Sequence, residues 1–563
     1  MDKRILFLTG CFALSMCMNK VIFAGEAIKE KEYVIYSTPL LERPNPGRRL
    51  ASKEIVKNIF LRLAQDEYEP AAFSVFTKEN LKDVAINWTA LKGNGNQVIP
   101  REAVDVRILK TWAWESKYGE ADILATDLRV PFKDGLENYA SLPRFIPEIP
   151  PNSSCHFWVK VYASPTQPPG TYQGEITLTP TNNLATTIPL KVEVLPFQLA
   201  EPGKDVGFFY TRVIPYEGRP ENSGPYLEAK KAILADLTII RKSGFNLIDL
   251  FGYAHLWPGK SAGSLNPDYA REILSLAAQA GFKKVILEGA EHIIVKGIPE
   301  NEQEAADLAS AKVRLSERVK EVVKISKELG IENLYFFGSD EPETPNAVER
   351  CRIIFEVVRS AGGKTIVAII NDKNRKPLEN LLDVALMSGG AQGSEIFRLV
   401  TEGKKTPHEK VYYYCNVGSR VPVITRLYFG WYLYKTGFDG SMPWAYFAVP
   451  SVPKPFDHWG RDLNHAFPTK DEPIPTLSGE AAREGVDDLR YIRTLEKFVK
   501  ASSNQVMAKK AEDNLKGILD QISLVFESGI SSANYLIPPE KYQEFRKILQ
   551  DSILSLIPVP AAR

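Results

Sequence analysis

From Val206 to Tyr446 the chain repeats one unit, a short apolar run followed by a helical stretch. The apolar runs are Val206–Tyr210, Phe245–Phe251, Lys284–Glu288, Asn333–Gly338, Lys364–Ile370, Val384–Met387, Lys410–Tyr414 and Gly440–Tyr446. Between them the spacing of apolar residues predicts helices over Tyr226–Ser243, Pro267–Ala280, Glu304–Leu329 and Asn346–Ser360. Eight strands, each followed by a helix or helix-like segment, predict an α/β barrel of the (β/α)8 type. A doubly wound open sheet is the competing arrangement. It would carry a glycine-rich fingerprint after its first strand, and Val206-Gly-Phe-Phe-Tyr-Thr-Arg212 has none.

The front of the chain has a different period. Phe73–Phe76 and Phe157–Tyr162 alternate apolar and polar residues, and Pro168-Pro169-Gly170 turns into a third alternating run from Tyr172. Short strands broken by Pro, Gly and Asn predict an all-β sandwich over residues 25–200. The barrel is expected over residues 201–500, with Glu480–Lys500 as its last helix. Met507–Glu527 and Glu540–Leu556 predict a helical extension over residues 501–563.

Residues 1–24 look like an address. Lys3 and Arg4 precede the apolar run Ile5–Met18, and Ile22-Phe23-Ala24 offers a cleavage site, so a secreted or periplasmic protein is expected. Leu8-Thr9-Gly10-Cys11 resembles a lipoprotein box behind too short an apolar run, which makes a lipid anchor the weaker alternative. Later in the chain no apolar segment reaches the length of a membrane span. Lys and Arg total 70 against 69 Asp and Glu, a net charge of +1, which argues against a nucleic-acid partner. Cys155, Cys351 and Cys415 are too widely spaced for a zinc site or a disulfide framework and read as small buried hydrophobes. Neither a cofactor nor a metal is expected.

In such barrels chemistry sits at the C-terminal ends of the strands. There, Phe336-Phe337-Gly338-Ser339-Asp340-Glu341-Pro342 sets two adjacent acids directly after the fourth strand. The same residues also suit a helix start, with Asp340 as N-cap and Pro342 in the first turn. A glycosidase normally needs two carboxylates, and many retaining barrels carry the second at the end of the seventh strand. Here that strand reads Val411-Tyr412-Tyr413-Tyr414-Cys415-Asn416, and Glu409 lies at its wrong end. Substrate-assisted hydrolysis removes the need for that second acid: the sugar's own 2-acetamido oxygen attacks, one carboxylate orients the acetamido group, and its neighbour is acid and then base.

On these residues the chain resembles glycoside hydrolase family 123. The resemblance rests on Leu61–Pro70 and Pro169–Glu175 in the sandwich, on Ser339-Asp340-Glu341-Pro342, on Gly430-Trp431, Gly437–Gly440 and Trp444–Tyr446 around the eighth strand, and on Gly479–Tyr491 in the closing helix. Segments Gly418–Val423 and Asp462–Asp471 depart from the family's pattern. The resemblance implies a retaining β-N-acetylgalactosaminidase-type hydrolase acting on a glycan, without a metal. Asp340 would orient the acetamido group and Glu341 would be the acid/base. A hydrolase of the same build acting on a glycoside without an acetamido group, and a non-catalytic carbohydrate-binding protein, are the alternatives.

Other strand-end residues are candidates for holding the sugar. Trp444 and Tyr446 alternate onto one face of the eighth strand, where both would line the barrel mouth and Trp444 would be a stacking platform. Tyr412, Tyr414 and Asn416 share a face of the seventh strand, with Tyr414 placed to bond an acetamido oxygen. Tyr210 and Arg212 end the first strand, where Arg212 would grip hydroxyls or pair with a local acid. Asn371 and Asp372 suit a turn. Glu288, Glu291 and His292 form a weak metal-ligand set, and Asp249 reads as a buried structural acid. Asp457, His458 and Trp459 would roof the pocket or form a surface loop, and Ala501–Lys516 reads as a solvated helix face.

Overall fold

A computed structural model describes residues 33–42, 55–113, 120–125, 145–212, 224–252, 265–389, 393–416, 421–447, 464–469, 472–524 and 537–558. The expected leader and the Asp457-His458-Trp459 segment lie outside the described residues. The front of the chain forms two facing sheets. One orders the strands Tyr33–Ser37, Glu67–Thr77, Ser153–Ala163, Val104–Ala113 and Glu120–Ala125. The other runs through Ile59–Gln65, Thr186–Gln198, Gly170–Thr179, Leu81–Trp88 and Phe145–Ile149. Inward-facing residues such as Phe73, Val75, Phe157, Val159, Ile176, Leu190 and Val192 form a separate core between them. The alternation read from the sequence is the alternation of these inner and outer faces.

The back of the chain closes into a barrel of eight parallel strands: Asp205–Phe209, Leu247–Asp249, Lys284–Leu287, Asn333–Phe337, Lys364–Ile369, Val384–Ser388, Lys410–Tyr414 and Gly440–Ser441. The eighth strand stops well short of the expected Tyr446. Pro443 follows it and has no N–H to give to a ladder, so pairing ends there. The helical segment expected after the seventh strand, with no range placed on it, is two helices, Pro422–Phe429 and Trp431–Thr436. Every residue of Pro422–Phe429 is buried, Thr425 and Arg426 included, so the helix has no face toward solvent. At the N-terminal end the barrel interior is plugged by Asp205, which accepts hydrogen bonds from Lys284, Lys410 and the Tyr412 hydroxyl. This commits Tyr412 to the barrel floor, far from the strand ends.

The sandwich is fastened to the barrel by the helix Leu477–Ala501. Lys160 of the sandwich bonds Glu480 at 2.6 Å, Arg483 donates to the Tyr68 carbonyl at 2.6 Å, and Tyr491 donates to Glu67 at 2.6 Å. The last helix, Pro539–Leu556, lies on the same seam. There Arg546 reaches Glu69 at 2.8 Å and Asp488 at 2.7 Å. No helix among the described residues is long and apolar enough to cross a membrane. Cys155, Cys351 and Cys415 are buried thiols, with no disulfide among the described residues.

Candidate active site

The fourth strand leaves the barrel tightly against the helix Pro345–Ser360. A Cβ on Gly338 would lie 2.8 Å from the Phe355 ring, so only glycine lets the chain pass so close. The next residue is pinned twice by that helix. The Ser339 N–H donates to Cys351 Sγ at 3.1 Å, and the Arg350 guanidinium donates to Ser339 Oγ. Asp340 and Glu341 follow from this anchored point. Asp340 is exposed and Glu341 half-buried. Glu341 has φ +40°, a left-handed conformation that non-glycine residues rarely adopt and that costs roughly 1–2 kcal/mol. The anchors on Ser339 hold the chain in this turn. The helix itself starts later, capped by Thr344, whose hydroxyl accepts from the Ala347 N–H at 3.2 Å. Asp340 is therefore not a helix cap.

Across the mouth, Tyr414 at the end of the seventh strand donates its hydroxyl proton to Glu341 Oε1. Burial, then the bond to Glu341 and its charge, push the phenol pKa far up, so Tyr414 is a neutral donor. The structure thus brings together Asp340, Glu341 and Tyr414, and it aims the tyrosine at the acid. Asn416, two residues on, accepts from the Trp444 N–H at 2.9 Å. The Trp444 ring packs half-buried against Phe251 and Phe209 with centroids 4.6 and 5.6 Å away. Phe209 in turn meets Phe337 of the fourth strand at 5.9 Å, so Trp444 belongs to the same mouth as the acids.

Three other expected sugar contacts are placed elsewhere. With the eighth strand ended at Ser441, Tyr446 does not share the face of Trp444. Its ring is buried against Phe208 at 5.5 Å and lines a cavity of about 780 Å³ between barrel flank and sandwich. Tyr210 is buried and donates to Asp236 of the helix Gly224–Lys242 at 2.7 Å. Arg212 pairs with the same Asp236 at 3.0 Å and donates to the Thr469 carbonyl at 2.7 Å. Strand residues alternate between barrel interior and helix layer. Phe208 and Tyr210 fall on the outer row, and Phe209 between them faces inward.

Two further acids, which residue order alone does not bring together, stand beside the pair. Asp249 ends the second strand, Glu288 follows the third, and both are buried. Burial, then the charges of Glu288 and Asp340, hold Asp249 well above the ordinary carboxyl range. Burial, then Glu291 and Asp340, do the same to Glu288. Of the expected set Glu288, Glu291 and His292, Glu288 also meets Asp249, and Glu291, whose charge acts on Glu288, faces Arg350 at 4.0 Å. No group of three such side chains among the described residues is placed to hold a metal ion. Asn371 caps a short turn of helix, accepting from the Asn374 N–H at 3.1 Å.

Residues 310–495 match the family model described as glycoside hydrolase 123, catalytic domain, a stretch that contains both acids, Tyr414 and Trp444. The structure is similar over 93% of its length to 98% of a family 123 glycoside hydrolase from Clostridium perfringens, studied for glycolipid glycan hydrolysis, with TM-score 0.61 and 13% identity. A GH5 xyloglucanase from Bacteroides ovatus matches with TM-score 0.31 and 10% identity, over 78% of this chain and 99% of that one. A β-glucuronidase from Ruminococcus gnavus matches with TM-score 0.32 and 12% identity, over 73% and 69%. No curated protein matches the sequence.

Proposed function

We propose that this chain, a glycoside hydrolase family 123-like enzyme, removes terminal β-linked 2-acetamido sugars of the N-acetylgalactosamine type from glycans, with retention and by substrate assistance. The observation that carries this reading is the pairing at the mouth. Two consecutive acids end the fourth strand, and a tyrosine bonded to one of them stands where a two-carboxylate retaining enzyme needs its nucleophile. In the first step the acetamido oxygen bonds to C1 as the glycosidic C–O bond breaks. Glu341 gives its proton to the leaving oxygen, and the Asp340 carboxylate holds the acetamido N–H as positive charge grows on nitrogen. In the second step Glu341, now a carboxylate, takes a proton from water. The water oxygen bonds to C1 and the acetamide re-forms. Tyr414 occupies Glu341 Oε1, which leaves Oε2 for the glycosidic oxygen and makes Tyr414 a positioning residue. Trp444 is the stacking surface for the sugar ring. Secretion through residues 1–24 belongs to the same reading, and a mature N-terminus at Gly25 is its test.

The experiment is a panel of aryl β-glycosides with and without a 2-acetamido group, together with a thiazoline mimic of the cyclised intermediate. Turnover confined to acetamido sugars and competitive thiazoline inhibition are expected. Glu341→Gln should lower kcat by roughly 10²–10⁴-fold while binding persists. Asp340→Asn should also fail. Turnover of 2-hydroxy sugars with no thiazoline inhibition would move the assignment to a hydrolase of non-acetamido glycosides.

A further inference from the structure

Behind Asp340 the barrel wall carries a second pair of carboxyls. Asp249 is level with Phe209 in the strand register, on the inward row, and Glu288 extends the neighbouring strand beyond Leu287. Relative exposure is 0% for Asp249 and 3% for Glu288. Parallel pairing sets the two strand ends side by side, so the carboxyls stand within reach of a shared proton. Among the described residues, neither oxygen of Asp249 receives a hydrogen bond from any N–H or hydroxyl group. Two ionised carboxylates have acceptors and no donor, so a bond between them needs a proton. Bonded through one shared proton, the pair would carry one negative charge.

Among the described residues, the charged and titratable groups facing the pair are few. From the loop after the fourth strand comes Asp340, close enough to act on both. From the turn Ala290–Ile293 comes Glu291. Arg350 stands on the far side, bonded to Ser339 and 4.0 Å from Glu291. Tyr414 bonds Glu341 from the seventh strand. That charge would act on Asp340, which both acids face, and on Glu291 beside Glu288.

We propose that Asp249 and Glu288 are positioning residues for Asp340, a proton-sharing pair whose remaining negative charge makes Asp340 a stronger acceptor for the acetamido N–H. This rests on the substrate-assisted reading above. A nearby like charge raises the proton affinity of a carboxylate. The acetamido N–H becomes far more acidic as its nitrogen turns positive, so a more basic Asp340 bonds it more strongly in the transition state than in the ground state. Only interactions that strengthen in this way accelerate the reaction.

Charge counting makes the test specific. In Asp249→Asn the amide donates to an ionised Glu288, and in Glu288→Gln it donates to an ionised Asp249, so either single variant keeps the charge. The double variant Asp249→Asn/Glu288→Gln removes it. The measurements are the pH profile of kcat/KM on an aryl 2-acetamido-β-glycoside and the Ki of the thiazoline. In the double variant the acid limb, set by ionisation of Asp340, should move down by about one pH unit. The plateau kcat/KM should fall about tenfold and the thiazoline Ki rise about as much. Either single variant should leave the acid limb where it is. A folded double variant with the wild-type limb and wild-type Ki overturns the proposal, as does a single variant that shifts the limb as far as the double. If the double variant does not fold, infrared difference spectra at neutral pH decide. Wild type minus either single variant should show the loss of one protonated-carboxyl band, and its absence from both difference spectra overturns the shared proton. A wild-type enzyme indifferent to the thiazoline would sink the substrate-assisted reading. The limb shift in the double variant would still report the charge acting on Asp340.

Discussion

Tyr414 and Glu341 meet across the barrel mouth, and this bond fixes the direction of the acid. Tyr414→Phe removes the bond without emptying the space. Glu341 then loses the partner that orients it, and kcat should fall about tenfold or more with KM little changed, since a hydrogen bond to a charged group is worth about 1.5–3 kcal/mol. A wild-type kcat in a folded Tyr414→Phe variant would show that the bond is not made in the working enzyme. At this scale the acid pair was legible from residue order, because two acids that follow an apolar strand can only lie at its end. Their partner Asp249 was not. Nothing in Leu247-Ile248-Asp249 tells which residue of another strand will face it.

Among the elements, the first barrel strand is the seam where the cylinder closes. It pairs with the second strand on one side and the eighth on the other. Glycines allow both contacts. A Cβ on Gly207 would lie 2.3 Å from the Leu247 carbonyl oxygen, and one on Gly440 would lie 2.4 Å from that of Asp205. Backbone cannot yield as a side chain does, so Gly207→Ala should force the strands apart and lose about 1–3 kcal/mol or more, read as a lower midpoint in urea. A variant as stable as wild type would mean that the seam is slack. Strand identity was legible here because a short run that is apolar at every position, set between helical periods, matches a strand covered on both faces. Strand length was not. The two-residue eighth strand is cut off by its surroundings and by Pro443, and with it went the expected partnership of Trp444 and Tyr446.

The whole molecule depends on a buried polar seam between sandwich and barrel. Burial alone would push the Glu480 carboxyl up, but the charges of Lys160 and Arg483 and their hydrogen bonds outweigh it and hold the group at about 2. A carboxyl depressed in the folded state adds stability above its unfolded pKa, near 4.5, and loses it as pH falls toward 2. The seam should therefore weaken with acid between about pH 4.5 and 2. Lys160→Met strands Glu480 with Arg483 alone and should lose about 3 kcal/mol at about pH 7. The loss should narrow at about pH 3, where the variant's Glu480 takes up a proton and wild type still does not. Equal losses in urea at both pH values would place the stability of the seam elsewhere.

Period and order along the chain were enough for the layers of this protein: a region of alternating strands, a barrel, closing helices, and an acid pair at a strand end. These features depend on neighbours within a few residues, and a strand or helix shows its buried face in its own spacing. The direction of single side chains beyond the strands depended on packing between distant segments. Tyr210 and Arg212 turned to Asp236, and Tyr446 to the cavity under the sandwich. Asp249 and Glu288 met because parallel pairing set two strand ends side by side. Such meetings arise when the barrel closes, from contacts between residues far apart in the chain, and local spacing carries no trace of them.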